Sequence, residues 1–291
     1  MHRYVNCIAY DCSEGQLLIG KDRAALVDCG MMFCAGETIR KVKDALAGRP
    51  LDYIFATHTH YDHIGALPFF REEWPGVRLA VSEAGAAVLL KETPRRVFRE
   101  LSAAAAEYRG AALDLSYDDG AFRADMTVKE GDCVPLGGLT AEVLGTPGHT
   151  RDALSYHIPE LALLILSETP GVLMPDGSVY PCYLSGYADT LRSIEKCRRI
   201  HYRTLALPHR GIVGREVSDG FFDRALASNT GCRDFILGMK GRGLSEEAMI
   251  GPFFEKYGGV ITFGFQPKEA FAANARATIQ CTLRKSGGVL A

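Results

Sequence analysis

Charge excess of either sign and long apolar runs are both missing from this sequence. Its 291 residues include 33 basic and 35 acidic ones, so composition gives no support for a nucleic-acid or anionic-membrane partner. No apolar run reaches the roughly 18–20 residues that a membrane-spanning helix needs, and Met1-His2-Arg3 opens no signal-peptide pattern. We therefore expect a cytoplasmic protein without nucleic-acid or membrane partners, and the sequence leaves its oligomeric state open.

A disulfide framework is not expected either, although the chain has nine cysteines. Cysteines in a chain of this length without a secretion signal are typical of reduced intracellular thiols. Two pairs, Cys7 with Cys12 and Cys29 with Cys34, share a C-x4-C spacing, but structural zinc sites typically use tighter pairs with further partners. We expect these four cysteines to pack as small apolar residues.

The sequence does contain a dense group of potential metal ligands, Thr57-His58-Thr59-His60-Tyr61-Asp62-His63. Three imidazoles and a carboxylate in H-x-H-x-D-H spacing suit a pair of divalent ions, since one tetrahedral ion would use only some of them. The apolar stretch 51–56 before the motif predicts a short buried strand, and the residues after it predict a turn into a helix. The ligands are therefore predicted on the loop at the carboxyl end of a strand, where open α/β sheets usually place their sites.

This motif and four further segments in matching order resemble the metallo-β-lactamase superfamily of hydrolases. Asp28-Cys29-Gly30 resembles the family's early D-x-G turn, and the segment 145–150, which contains His149, resembles its T-P-G-H-T loop. The strand-like segment 205–208 ends at His209, as the family's last ligand does. An aspartate is usual between these two histidines, and here Glu168, one methylene longer, stands in its place. The resemblance covers about residues 1–213.

The resemblance implies a site for two divalent ions. The first would be held by His58, His60 and His149, the second by Asp62, His63 and His209, and Glu168 would bridge them together with a hydroxide. Such ligands suit zinc, which we expect, and also iron or manganese. Asp62 is the predicted catalytic residue, because it can accept a hydrogen bond from the attacking nucleophile. Asp28 is expected to orient a metal-bound histidine, with turn capping as its alternative role.

Three residues are candidates for contact with the substrate. Tyr180 and Tyr183 lie on the long loop 169–186 and could donate their hydroxyls to a substrate oxyanion, or they could only pack the loop. Arg210 directly follows His209 and could meet an anionic substrate or form a surface salt bridge.

The strand and helix pattern predicts an α+β fold, a four-layer αββα sandwich, and the resemblance implies the same. We assign residues 1–213 to this domain, with an insertion at about 93–125 that is either a lid or a surface helix and loop. Helical spacing over 221–239, 245–257 and 267–285 predicts a helical C-terminal extension, 214–291, packed on the core. Ser82 is predicted to cap the helix that follows it.

The predicted function is hydrolysis of an ester, thioester or lactone of a small molecule by a dinuclear, metal-dependent enzyme resembling glyoxalase II or the lactonases. A small-molecule phosphodiesterase is the main alternative, since the same metals can act on a phosphoryl centre. A di-iron oxidoreductase fits less well, because that branch usually has a glutamate where this sequence has His60. A non-catalytic binding protein on the same fold is the fourth hypothesis.

Overall fold

The computed structural model describes residues 3–7, 15–259 and 268–284. Its first six-stranded sheet has the order β1 to β6, with β3 to β6 parallel and β1 to β3 antiparallel. These strands are β1 (Arg3–Asn6), β2 (Gln16–Ile19), β3 (Ala24–Val27), β4 (Tyr53–Phe55), β5 (Arg78–Val81) and β6 (Met126–Thr127).

The second six-stranded sheet has the order β14-β13-β10-β9-β8-β7, and among its described strands β10 and β13 pair in parallel while the other pairs are antiparallel. A separate hairpin is formed by β11 and β12. These strands are β7 (Cys133–Pro135), β8 (Thr140–Gly145), β9 (Leu154–Ile158), β10 (Leu163–Ile165), β11 (Val172–Leu173), β12 (Val179–Tyr180), β13 (Thr204–Leu207) and β14 (Gly211–Val213).

Within the described segments, five α-helices follow strands of the first sheet, and five more lie between residues 187 and 283. The first five are α1 (Ala35–Leu46), α2 (Tyr61–Ile64), α3 (Leu67–Glu73), α4 (Glu83–Leu89) and α5 (Glu92–Arg109). The others are α6 (Tyr187–Arg198), α7 (Arg215–Ser218), α8 (Phe221–Gly241), α9 (Glu246–Tyr257) and α10 (Lys268–Leu283). Ser82 caps α4 as predicted, because its Oγ accepts a hydrogen bond from the amide of Gly85 at 3.1 Å.

The first sheet is buried on both faces because alternate side chains of each strand enter different cores. In β4, Phe55 packs against the second sheet, where its ring stacks on that of Tyr156 with centroids 5.5 Å apart. The neighbouring Ile54 joins the other core, with Leu46 of α1 and Phe70 of α3. The two sheets thus pack face to face, and helices cover the outer face of the first.

The chain contains two compact units, and the first holds both six-stranded sheets. The second holds β11, β12, α6 and the three helices α8 to α10. Its core contains Tyr180, Tyr183 and apolar side chains of those three helices, among them Cys232, Ile236, Met249, Phe253, Phe271 and Ile279.

The predicted helical C-terminal region is present in the structure. Residues 267 and 285, at the ends of its last predicted helix, lie outside the described segments. The division into domains at 213–214 stays a prediction.

The cysteines of the described segments are free thiols, and Cys12 lies outside those segments. Cys29 and Cys34 are buried, and burial raises the pKa of Cys7 to about 12. Among the residues described, no helix has the length and apolarity that crossing a membrane requires.

Candidate metal centre

The histidine motif begins directly after β4 and runs into the short helix α2. His58 and His60 lie on the loop, with ring centroids 4.5 Å apart, whereas Asp62 and His63 lie on α2. The turn of α2 requires Gly65, because a Cβ at this position would collide with the carbonyl oxygen of Tyr61. The buried strand therefore fixes where the loop begins, and the tight turn fixes where α2 ends.

Asp28 holds the motif together from the end of β3. Its carboxylate accepts hydrogen bonds from the amide and the hydroxyl of Thr57, each at 2.7 Å, and lies 2.8 Å from Nδ1 of His63. Because Asp28 is only 2 % exposed, these donors offset the cost of burying its charge. A proton on Nδ1 of His63 leaves the lone pair of Nε2 for a metal ion, so Asp28 stands where a histidine-orienting residue would stand.

Asp62 lies beside two imidazoles. Its Oδ2 is 3.8 Å from Nε2 of His63 and 4.0 Å from Nε2 of His209. His209 follows β13 in a turn and has a left-handed backbone, with φ of 58°. Such a conformation is uncommon for a residue other than glycine and is often found at functional sites.

His149 and Glu168 form a second close pair. Nε2 of His149 lies 2.9 Å from Oε2 of Glu168, and its Nδ1 donates to the carbonyl of Cys182 at 2.7 Å. Burial lowers the pKa of His149, but Cys182 and Glu168 outweigh burial, so the pKa stands well above its usual value. A metal ion that binds Nε2 must therefore displace a proton.

The predicted ligands form two groups that could each hold a metal ion, and within each group the ligand atoms lie within 4.8 Å of one another. The groups are His58, His60, His149 and Glu168, and Asp62, His63, Glu168 and His209. Glu168 belongs to both. Imidazole nitrogens and carboxylate oxygens in these proportions suit zinc, iron or manganese, so the donor set fits the metals expected.

The predicted substrate residues differ in their surroundings. Tyr183 is fully buried, and its hydroxyl lies 2.9 Å from Oγ1 of Thr282. Tyr180 is buried as well, but its hydroxyl has no hydrogen-bond partner among the described residues. Arg210 is half-buried and follows His209 in the turn between β13 and β14.

Three residues that shape the motif loop, Thr57, Thr59 and Asp152, are not among the residues predicted from the sequence. Thr57 is the partner of Asp28, which is among them. Asp152 and Thr59 form a second buried pair, since the amide and the hydroxyl of Thr59 both donate to Oδ2 of Asp152 at 2.8 Å. The only sequence signal for Asp152 is an acid three residues after His149.

The comparisons with known proteins place the chain in a family. Residues 16–209 match the model of the family described as "Metallo-beta-lactamase superfamily". Since this match covers more than half of the chain, the protein belongs to that superfamily.

Several curated proteins are similar to the chain. A probable metallo-hydrolase of Bacillus subtilis is 28% identical over 69% of the chain and 82% of its own length. An acyl-coenzyme A thioesterase of Gallus gallus is 26% identical, and the match covers 71% of each chain. A hydroxyacylglutathione hydrolase of Rhodopseudomonas palustris is 34% identical, but the match covers 43% of the chain and only 36% of the relative.

A solved structure supports the fold. A metallo-beta-lactamase family protein of Thermus thermophilus superposes with a TM-score of 0.60 at 18% identity, covering 92% of this chain and 86% of that one. The predicted α+β sandwich and the predicted membership of the superfamily are therefore confirmed. The predicted class of enzyme, a metal-dependent hydrolase, is also confirmed. Its two-ion mechanism and its substrate stay predictions.

Proposed function

We propose that the protein is a dinuclear metal-dependent hydrolase that cleaves the thioester, or a related ester or lactone, of a small molecule. The observation that carries this proposal is that Glu168 belongs to both candidate ligand groups. A carboxylate has two oxygens and can contact two ions at once, whereas an imidazole nitrogen binds one. We propose zinc as the metal, the cytoplasm as the location, and no nucleic acid or membrane as a partner.

In this proposal each side chain of the site has a defined task. Two divalent ions would polarise the acyl oxygen and lower the pKa of a water molecule. The imidazoles of His58, His60 and His149 would hold one ion, and His63, His209 and Asp62 would hold the other. Asp28 would keep the proton of His63 on Nδ1, which leaves the lone pair of Nε2 available to a metal ion.

Asp62 is proposed to handle the proton of the attacking water. Its side chain is 20% exposed, whereas His63 and His209 beside it are 1% and 8% exposed. A partly exposed carboxylate can accept a proton from the water and deliver it to the leaving group. The partial exposure of the Asp62 side chain supports this task.

Tyr180, rather than Tyr183, is proposed to contact the substrate. Burial above all raises the pKa of Tyr180 well above its usual value, so the phenol keeps its proton and can donate it to a developing oxyanion. The hydroxyl of Tyr183 already pairs with Thr282, which leaves it a structural role. Arg210 stays a candidate for an anionic part of the substrate.

The thioester class is supported by the name of one relative, an acyl-coenzyme A thioesterase that matches most of the chain. The test is to load the protein with Zn²⁺ and to assay acyl-coenzyme A and acylglutathione thioesters, simple lactones, and bis-p-nitrophenyl phosphate. We expect activity on thioesters to exceed that on the phosphodiester, and Asp62→Asn to reduce kcat. Activity on the phosphodiester alone would favour a phosphodiesterase instead, and no hydrolysis with two ions bound would favour a binding protein.

A further inference from the structure

Asp152 is a buried acid that belongs to neither candidate ligand group, although it touches the motif loop. It is 6% exposed, and its Oδ2 accepts two hydrogen bonds of 2.8 Å, from the amide and the hydroxyl of Thr59. Thr59 is itself 5% exposed and stands between His58 and His60. The carboxylate therefore holds the one residue whose backbone connects these two histidines.

The contact resembles the one that Asp28 makes with Thr57. Both aspartates accept from the amide and the hydroxyl of one threonine, and the two threonines flank His58. Hydrogen bonds to a buried carboxylate are stronger than neutral ones, so the backbone is fixed on both sides of His58. Only Asp28 also reaches an imidazole directly.

Packing around the pair leaves little freedom. A Cβ added at Gly85 of α4 would lie 3.2 Å from Cγ2 of Thr59 and 3.3 Å from Oδ2 of Asp152, both tighter than ordinary contact. The glycine thus lets α4 approach the pair closely, and the pair is confined from that side.

We propose that Asp152 is a positioning residue for the metal centre, acting through Thr59 to set the directions of His58 and His60. This inference rests on the proposed function, in which those two imidazoles help to hold the first ion. Without the carboxylate the loop between them gains freedom, and the ion must then order the loop when it binds. The expected effect is a loss of affinity for the first ion, with the second ion much less affected.

The experiment is a titration of the metal-free protein with Zn²⁺ against a chromophoric chelator. His60→Ala identifies which of the two binding steps belongs to the first ion. We expect Asp152→Ala to weaken that step about tenfold, at the lower end of the range for residues that orient ligands. Asp152→Asn should recover part of the affinity, because its amide oxygen can still accept both hydrogen bonds.

Asp52→Ala is the matched control, since Asp52 also accepts a backbone amide, that of Ala24 at 2.8 Å, but precedes β4 at the opposite end from the motif. It should lower the thermal stability without weakening Zn²⁺ binding. If Asp152→Ala does not fold, Thr59→Val removes only the hydroxyl donor and should still weaken the first step. The inference is overturned if Asp152→Ala binds the first Zn²⁺ as tightly as Asp52→Ala does. It is also overturned if Thr59→Val binds the first Zn²⁺ as tightly as the wild-type protein does. Absence of Zn²⁺ binding in the wild-type protein would instead contradict the proposed function.

Discussion

Asp28 has three hydrogen-bond donors within 2.8 Å in a position that water barely reaches, and its backbone is left-handed, with φ of 54°. A non-glycine residue in that region costs of order 1–3 kcal/mol, and it persists only where its surroundings determine it. Thr57 and His63 provide such surroundings. At the residue scale, the buried carboxylate of Asp28 therefore helps to hold Thr57 and His63 of the candidate centre in place.

Tyr180 gives a prediction at this scale. Tyr180→Phe should reduce kcat roughly a hundredfold, the size of effect seen when an oxyanion donor is removed. The same change should leave the free energy of unfolding unchanged or slightly higher, because the lost hydroxyl has no partner among the described residues. Steady-state kinetics and chemical denaturation measure the two effects separately.

Tyr117 provides the control for that substitution. Its hydroxyl is likewise buried without a hydrogen-bond partner in the described segments, and burial raises its pKa to about 12. Tyr117→Phe should leave kcat unchanged. Equal kcat values for Tyr180→Phe and wild type would remove Tyr180 from the mechanism.

Asp152 shows why some site residues escape a sequence-based prediction. The candidate metal ligands are recognisable because four of them share one short motif and the rest stand at the ends of predicted strands. Asp152 acts on Thr59, 93 residues away in the sequence, and only the fold brings the two together. No local pattern distinguishes it from a surface acid.

Helix α5 illustrates the same limit at the scale of elements. The Ala-rich sequence predicts a helix over about residues 97–108, but α5 begins at Glu92. Pro94 lies in the first turn of α5, where proline is tolerated because its missing amide would have no partner. The hairpin of β11 and β12 was missed for a related reason, since two-residue strands in a proline- and glycine-rich segment give no alternating pattern.

The insertion around α5 is tied to its neighbours by arginines. Arg99 donates to the carbonyls of Leu115 at 2.8 Å and Tyr117 at 3.1 Å, and its guanidinium lies 4.1 Å from the centre of the Tyr117 ring. Arg71 donates to the carbonyl of Ala121 at 2.9 Å. These contacts favour a fixed surface helix and loop over a lid, which we offer as a proposal.

Arg99→Ala tests this proposal. It should lower the free energy of unfolding by about 1–2 kcal/mol, because several hydrogen bonds from one charged group are lost, and it should speed proteolysis within residues 110–121. Arg96→Ala, on the same helix, removes only an exposed ion pair with Glu100 at 3.8 Å and should change stability by less than about 0.5 kcal/mol. Equal stability of the two variants would show that Arg99 does not hold the loop.

At the scale of the whole molecule, the sandwich and the C-terminal helices could be predicted because their apolar spacing is regular. The predicted helices 221–239 and 245–257 agree with α8 and α9 to within two residues at each end. The grouping of β11, β12 and α6 with those helices could not be predicted, because it depends on packing between segments far apart in the chain. We expect such surfaces to select the substrate, which is why the sequence predicts the chemistry better than the compound.

The proposed two-ion centre depends most on Glu168 acting for both ions, and the metal content of one variant measures this directly. Glu168→Gln keeps the size of the side chain but loses a charged oxygen. Glu142→Gln is the control, because Glu142 also pairs with a histidine, His157 at 2.8 Å, yet lies in neither ligand group. After loading with Zn²⁺ and removal of the excess, elemental analysis should give two ions per chain for wild type and Glu142→Gln, and one or fewer for Glu168→Gln. Two tightly bound ions in Glu168→Gln, or a single ion in the wild-type protein, would contradict the account.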